Sequence, residues 1–150
     1  MAKPYSIKEQ MAIDYFKPDK MITVLFAEEN FDRVVRKDNQ RPYYTNLKTC
    51  KSDCKVMKKT LEKYRISDND IQFDLTHSPT LAEVKKVFEE IKTLLVNGAD
   101  EKPKVNFLVF LLFAGHGILK DGMQTLVLNE FDDKSFYNLF KAEHEVRSLS

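Results

Sequence analysis

Residues 105–117 read VNFLVFLLFAGHG. Eight of the nine residues from Val105 to Phe113 are apolar, so no alternation separates a wet face from a dry one. Such a run is the pattern of a strand covered by helices on both faces, as in a parallel sheet. It ends in a histidine held between two glycines, in a chain with only four glycines among 150 residues. Glycine on both sides lets the backbone bend sharply and leaves the imidazole unobstructed. In parallel sheets chemistry gathers where strands end at their carboxyl side, and His116 stands there. On the residues alone it reads either as a structural loop residue or as a catalytic base.

Upstream, MITVLFA at 21–27 is a second compact run of β-branched, aromatic and aliphatic residues, read as a buried strand. Residues 28–46 are polar and hold Arg33, Arg36, Arg41 and Pro42, which predicts a long loop. Leu47, Cys50, Cys54, Met57, Leu61 and Tyr64 recur at spacings of three and four, a helical stripe. IQFDL at 71–75 reads as a short strand. Thr80 and Glu83 match a capping box, and Val84, Val87, Phe88, Ile91, Leu94 and Leu95 continue as a helix expected to stop at Gly98. Beyond the histidine, Asp121-Gly122 predicts a hairpin turn into MQTLVLN. A short helix is expected over 6–16, closed by Pro18, and another in the tail NLFKAEHEVRSL, 138–149. Strands alternating with helices imply an α/β sandwich with a mostly parallel sheet.

Composition bounds the function. The formal net charge is +1, with acids interspersed among the lysines, so no global field draws the chain to nucleic acid or a membrane surface. No apolar run reaches the 18 or so residues of a membrane span, and MAKPYSIKEQMAIDYF lacks the apolar stretch of a signal peptide. Cys50 and Cys54 are the only cysteines. Four apart on a helix they lie side by side, a poor geometry for a disulfide, and without matching histidines a poor zinc site; reduced thiols are expected. These features fit a cytoplasmic protein, a cytoskeletal or organellar assembly being compatible with them, and no metal or cofactor is expected.

FLVFLLFAGHG resembles the hydrophobic strand and GHG element of the caspase and metacaspase superfamily of cysteine peptidases. LKTCKSDCKVMKKTLEKY is similar to the first metacaspase helix, entered by a Cys-x-x-Asp signature, here Cys50 and Asp53. FYNLFKAEHEVRSLS resembles the segment leading to the cysteine strand in caspase-like proteins, including those of ciliate protists. The resemblance implies a three-layer caspase-like sandwich over 21–150, behind an N-terminal helical extension of residues 1–20. It makes His116 the general base and gives Gly117 a backbone N–H near the oxyanion. Asp53 would lie at the floor of the primary pocket, selecting Arg or Lys, with Cys50 as its wall. Asp53 equally reads as a solvated helix residue pairing with Lys51 or Lys55, and Cys50 as core packing. For His77 and His144 surface roles are expected.

A thiol must lie within hydrogen-bond reach of its base. Family sequences place that cysteine about 50 residues after the histidine. The chain given runs 34 residues past His116 (150 − 116), and no cysteine follows Cys54. It is therefore expected to lack peptidase activity as given, with the sheet incomplete and strand 105–113 left as an edge. Another protein chain or a missing C-terminal segment would pair with that edge. Three functions follow: a non-catalytic structural or scaffold subunit of a larger assembly; the histidine-bearing portion of an Arg/Lys-directed cysteine endopeptidase; or, outside the family, a flavodoxin-like binding domain. The last would need a glycine-rich phosphate loop, which the sequence does not offer. Acidic residues for a calcium site of the metacaspase kind are expected beyond residue 150.

Overall fold

The computed structural model describes residues 17–36, 38–39, 41, 43–130 and the backbone of 136–138. The helix expected over 6–16 and the tail helix beyond Asn138, His144 included, lie outside the described residues. In chain order the elements are β1 (Lys20–Ala27), α1 (Cys50–Glu62), β2 (Ile71–Leu75), α2 (Leu81–Asp100), β3 (Phe107–Ala114), β4 (Gly117–Lys120), β5 (Met123–Val127) and β6 (Phe136–Asn138). Asn138, expected to open the tail helix, closes β6 instead.

β1, β2 and β3 form a parallel sheet in the order β2-β1-β3. The two-residue period of β1 divides its side chains between two cores. Ile22, Val24 and Phe26 face α2, packing with Leu75, Val84, Ile91 and the inward residues of β3. Leu25 and Ala27 face α1, packing with Cys50, Cys54, Leu112 and Ala114. One helix on each face is the expected α/β sandwich. β1 holds the centre, and seven of its eight residues are buried. β3 is one of the two outer strands, and none of its eight apolar residues falls in the buried class. Among the described residues nothing pairs with its outer edge.

Local chemistry explains the connections. The Thr80 hydroxyl accepts from Glu83 N–H at 3.3 Å, and Glu83 Oε2 accepts from Thr80 N–H at 2.7 Å, closing the expected capping box. The α1 N-terminus is capped from a distance. Thr49 makes no side-chain cap, and the Glu29 carboxylate accepts from Lys51 N–H at 2.7 Å. Asp121 and Gly122 both take positive φ, 51° and 75°, as the tight turn between β4 and β5 requires. This hairpin and β6 form a second, antiparallel sheet. It is not a detached flap, because Leu126 and Leu128 enter the α2-side core.

Gly98 corrects the expected helix end. It lies inside α2 and is buried, while the helix runs on to Asp100. A Cβ there would stand 2.6 Å from Phe107 Cε2 and 3.1 Å from the Val105 carbonyl oxygen. Glycine is present because the start of β3 passes against the helix, not because the helix stops. In an open helix Gly98→Ala would stabilise by roughly 1 kcal/mol. Here it should destabilise the fold by about 1–2 kcal/mol net, since the extra methyl must displace the Phe107 ring beside an unyielding carbonyl. Denaturant unfolding of the G98A variant checks the sign.

Candidate functional site

The carboxyl ends of β1 and β3 finish in register, Ala27 opposite Ala114, and the ladder is extended by Glu28 N–H donating to the Ala114 carbonyl at 2.9 Å. The next residue of β3's chain is Gly115. A Cβ at Gly115 would lie 2.7 Å from Phe113 Cζ and 3.2 Å from Glu28 Cβ, so any side chain there would have to push the Phe113 ring aside and press on Glu28. Gly117 has no such constraint; the nearest atom to its added Cβ would be the Thr125 carbonyl oxygen at 3.9 Å. Of the two glycines around the histidine, the first is the one packing requires.

The His116 ring is half-buried and held on three sides. It stands edge-on to Phe31, 4.6 Å between centroids, and tilted against Tyr44 at 5.2 Å. Its Nε2 lies 2.9 Å from the Thr45 carbonyl oxygen. A carbonyl only accepts, so Nε2 carries the hydrogen, and in the neutral ring Nδ1 holds the lone pair. The loop that supplies these contacts is itself pinned. Phe31 N–H donates to Asn46 Oδ1 at 2.8 Å, Asn46 Nδ2 donates to Asp32 at 3.0 Å, and Arg33 N–H donates to Asn129 Oδ1 at 2.8 Å. Phe31 and Val34 are buried against Val127, and Ile118 packs on the same cluster. A histidine with Nε2 engaged and Nδ1 unbonded among the described residues is oriented to take a proton at Nδ1.

The other expected site residues surround this end of the sheet. Val127 N–H donates to the His116 carbonyl at 3.0 Å, just outside the Gly117–Leu126 pair. That marks the pair as the non-hydrogen-bonded kind, so the Gly117 N–H points away from β5. Asp53 is exposed in the first turn of α1, and its carboxylate makes no ion pair with Lys51, Lys55 or any other described residue. Cys50 and Cys54 are buried at 5% and 1% exposure among Leu25, Ala27, Leu47 and Leu112. Burial, with Glu29 and Asp53 adding repulsion, pushes the Cys50 thiol up. Burial, with Asp74 adding repulsion, pushes Cys54 up to about 11. Neither thiol hydrogen-bonds to His116. His77 is exposed at the α2 N-terminus and meets Glu83 at 3.0 Å.

Two participants escaped sequence reasoning. The Thr45 carbonyl is a main-chain group in a polar loop, without a sequence signal. Glu28 follows a buried strand and reads as a solvated loop residue, yet it is wholly buried. Its Oε1 accepts a long 3.4 Å bond from Asn129 N–H, and its Oε2 has no partner among the described residues. Burial raises its carboxyl to about 8; Glu130 and Glu83 add to the rise, while the Asn129 N–H and the Ser78 hydroxyl oppose it. The one weak signal was position: a charged residue directly after a fully buried strand.

The family model for the caspase domain, peptidase C14, matches residues 22–150. No curated protein matches the chain. The chain therefore belongs to the caspase-domain family of peptidases.

The Glu28 carboxyl titrates at about 8 when folded and near its ordinary 4.5 when unfolded. Between those values the folded state binds more protons, so stability is full below about pH 4.5 and falls as pH rises through about 8. The full loss is on the order of 5 kcal/mol. Glu28→Gln, which stays neutral, should match the wild type in acid, outlast it above pH 8 and remove this slope; urea unfolding across that range measures it.

Proposed function

We propose that these 150 residues form a caspase-fold structural subunit that hydrolyses no peptide unaided and joins a further polypeptide segment along β3. The state of the two thiols carries the first half of this reading. A nucleophile must be a thiolate within reach of its base. Cys50 and Cys54 are instead packed in the α1 core with raised pKa values, and neither touches His116. Support for the second half comes from β3, an eight-residue strand of apolar side chains, FLVFLLFA, which remains only part-buried. An exposed apolar edge of that length pairs with another strand or aggregates.

A second reading is favoured by the geometry of His116. Its Nε2 is engaged by Thr45, and Nδ1 is left as the basic nitrogen. A segment pairing with β3 could then carry a thiol to Nδ1, with the Gly117 N–H placed for an oxyanion. Asp53, exposed and without a cation partner among the described residues, fits the recognition of an Arg or Lys side chain.

Two measurements separate these readings. The purified chain should elute as an oligomer or cross-link to a companion, and should leave Arg- and Lys-containing fluorogenic peptides uncut. A well-behaved monomer with no companion would sink the subunit reading. If cleavage appears once a companion is added, Asp53→Ala should lower kcat/KM for Arg and Lys substrates on the order of 100-fold or more. An unchanged preference would remove Asp53 from recognition.

A further inference from the structure

Glu28 is the buried group that neither reading uses. It or its chain neighbours touch the Gly115 bend, the Asn129 segment and the turn that leads to Phe31. Its N–H extends the β1–β3 ladder to Ala114, and its Cβ and carbonyl oxygen form the wall against which Gly115 rests. Its carboxyl meets Asn129 N–H, and Asn129 in turn accepts from Arg33 N–H in the aromatic loop. Its chain neighbours Glu29 and Asn30 both donate to the Ser78 hydroxyl, at 3.0 and 3.3 Å, and the turn ends at Phe31, which packs on the imidazole. Ser78 itself takes a positive φ of 53° and donates its N–H to the Ala27 carbonyl. A strained residue bonded to the same turn shows how tightly this junction is specified.

We propose that Glu28 is a positioning residue for His116, its side chain serving as the peg that aligns the Gly115 bend, the turn to Phe31 and the segment at Asn129. The inference rests on the reading of His116 as the base and deepens it. The peg works as a neutral carboxylic acid. From α2 Glu83 faces it, from the segment after β5 Glu130, and from α1 the Cys50 thiol; the two acids that act on it most disfavour its charge. The polar groups beside it are the Asn129 N–H and the Ser78 hydroxyl, too few to solvate a carboxylate. Ionisation therefore expels the side chain, and Gly115 and Phe31 shift with it. Glu28 sets the pH above which the imidazole loses its orientation.

The test reads the imidazole and needs no hydrolysis. Histidine in the full chain is labelled with ¹³C and ¹⁵N, and His116 is assigned by substituting the other two, His77→Gln and His144→Gln. Ring shifts are followed from about pH 6 to about pH 10. Apart from the ring's own protonation step, the wild type should show a second inflection near the Glu28 value of about 8. Glu28→Gln should abolish that inflection and hold the ring at its neutral-pH position throughout. Glu28→Ala, which keeps Cβ against Gly115 but removes the carboxyl from Asn129 and Ser78, should displace the His116 signals at every pH. An inflection that persists in E28Q, or is absent from the wild type, overturns the proposal, as does an E28A protein with unmoved signals. If E28A does not fold, the comparison of wild type with E28Q decides alone. Failure of the base reading would look different: the neutral ring would carry its hydrogen on Nδ1 rather than Nε2, whether or not Glu28 couples to it.

Discussion

The parallel pairing of β1 with β3 is the constraint on which the rest depends. Its register runs without a slip from Lys20 opposite Phe107 to Ala27 opposite Ala114. A one-residue slip would turn every side chain of β3 to the opposite helix. It would also move Glu28 away from Gly115, so the bend at the histidine and the buried acid beneath it would no longer coincide. Core and site are thus specified by a single set of backbone hydrogen bonds. Hydrophobic burial on both faces of β1 fixes that register, and the site inherits its geometry from the core.

The same end of the sheet shows how charge is distributed around an apolar frame. Glu29 and Glu28 are adjacent and have opposite fates. Glu29 turns outward to the α1 N-terminus, where exposed N–H groups and the helix dipole favour a carboxylate. Glu28 turns inward, where the Asn129 N–H and the Ser78 hydroxyl are too few to offset burial. Strand alternation forces the split, since two successive residues leaving β1 must face opposite ways. The cysteines follow the helical version of this rule. Cys50 and Cys54, one turn apart, face the sheet together, and Asp53 between them faces solvent. Burial that makes the thiols good core residues also makes them poor nucleophiles.

Much of the frame was legible because its signals are local. MITVLFA and FLVFLLFA stood out as runs without alternation, Thr80 and Glu83 as a capping box, and Asp121-Gly122 as a tight turn; each is decided by neighbours in the chain. What failed depended on distant contacts. Gly98 resembled a helix stop because glycine usually is one, but Phe107, nine positions on, decides its role. The two glycines around His116 looked equivalent, and the Phe113 ring together with Glu28, far upstream, distinguishes them. His116 was legible as a candidate base. Its surroundings were not, since its hydrogen-bond partner is a main-chain carbonyl and the acid against Gly115 is buried where its composition predicts exposure.

The histidine's orienting partner being a main-chain carbonyl has a consequence for how this site can be altered. No side-chain substitution at Thr45 deletes that oxygen, so conventional scanning passes over it without effect. Insertions and deletions act differently. Shortening or lengthening the segment between Phe31 and Asn46, whose ends are tied by Phe31 N–H to Asn46 Oδ1, would carry the oxygen away from Nε2. In this loop the residue count matters beside the side chains of Phe31, Tyr44 and Asn46. Recombination that trades loop sizes would reach the Thr45 oxygen where a point substitution at Thr45 does not.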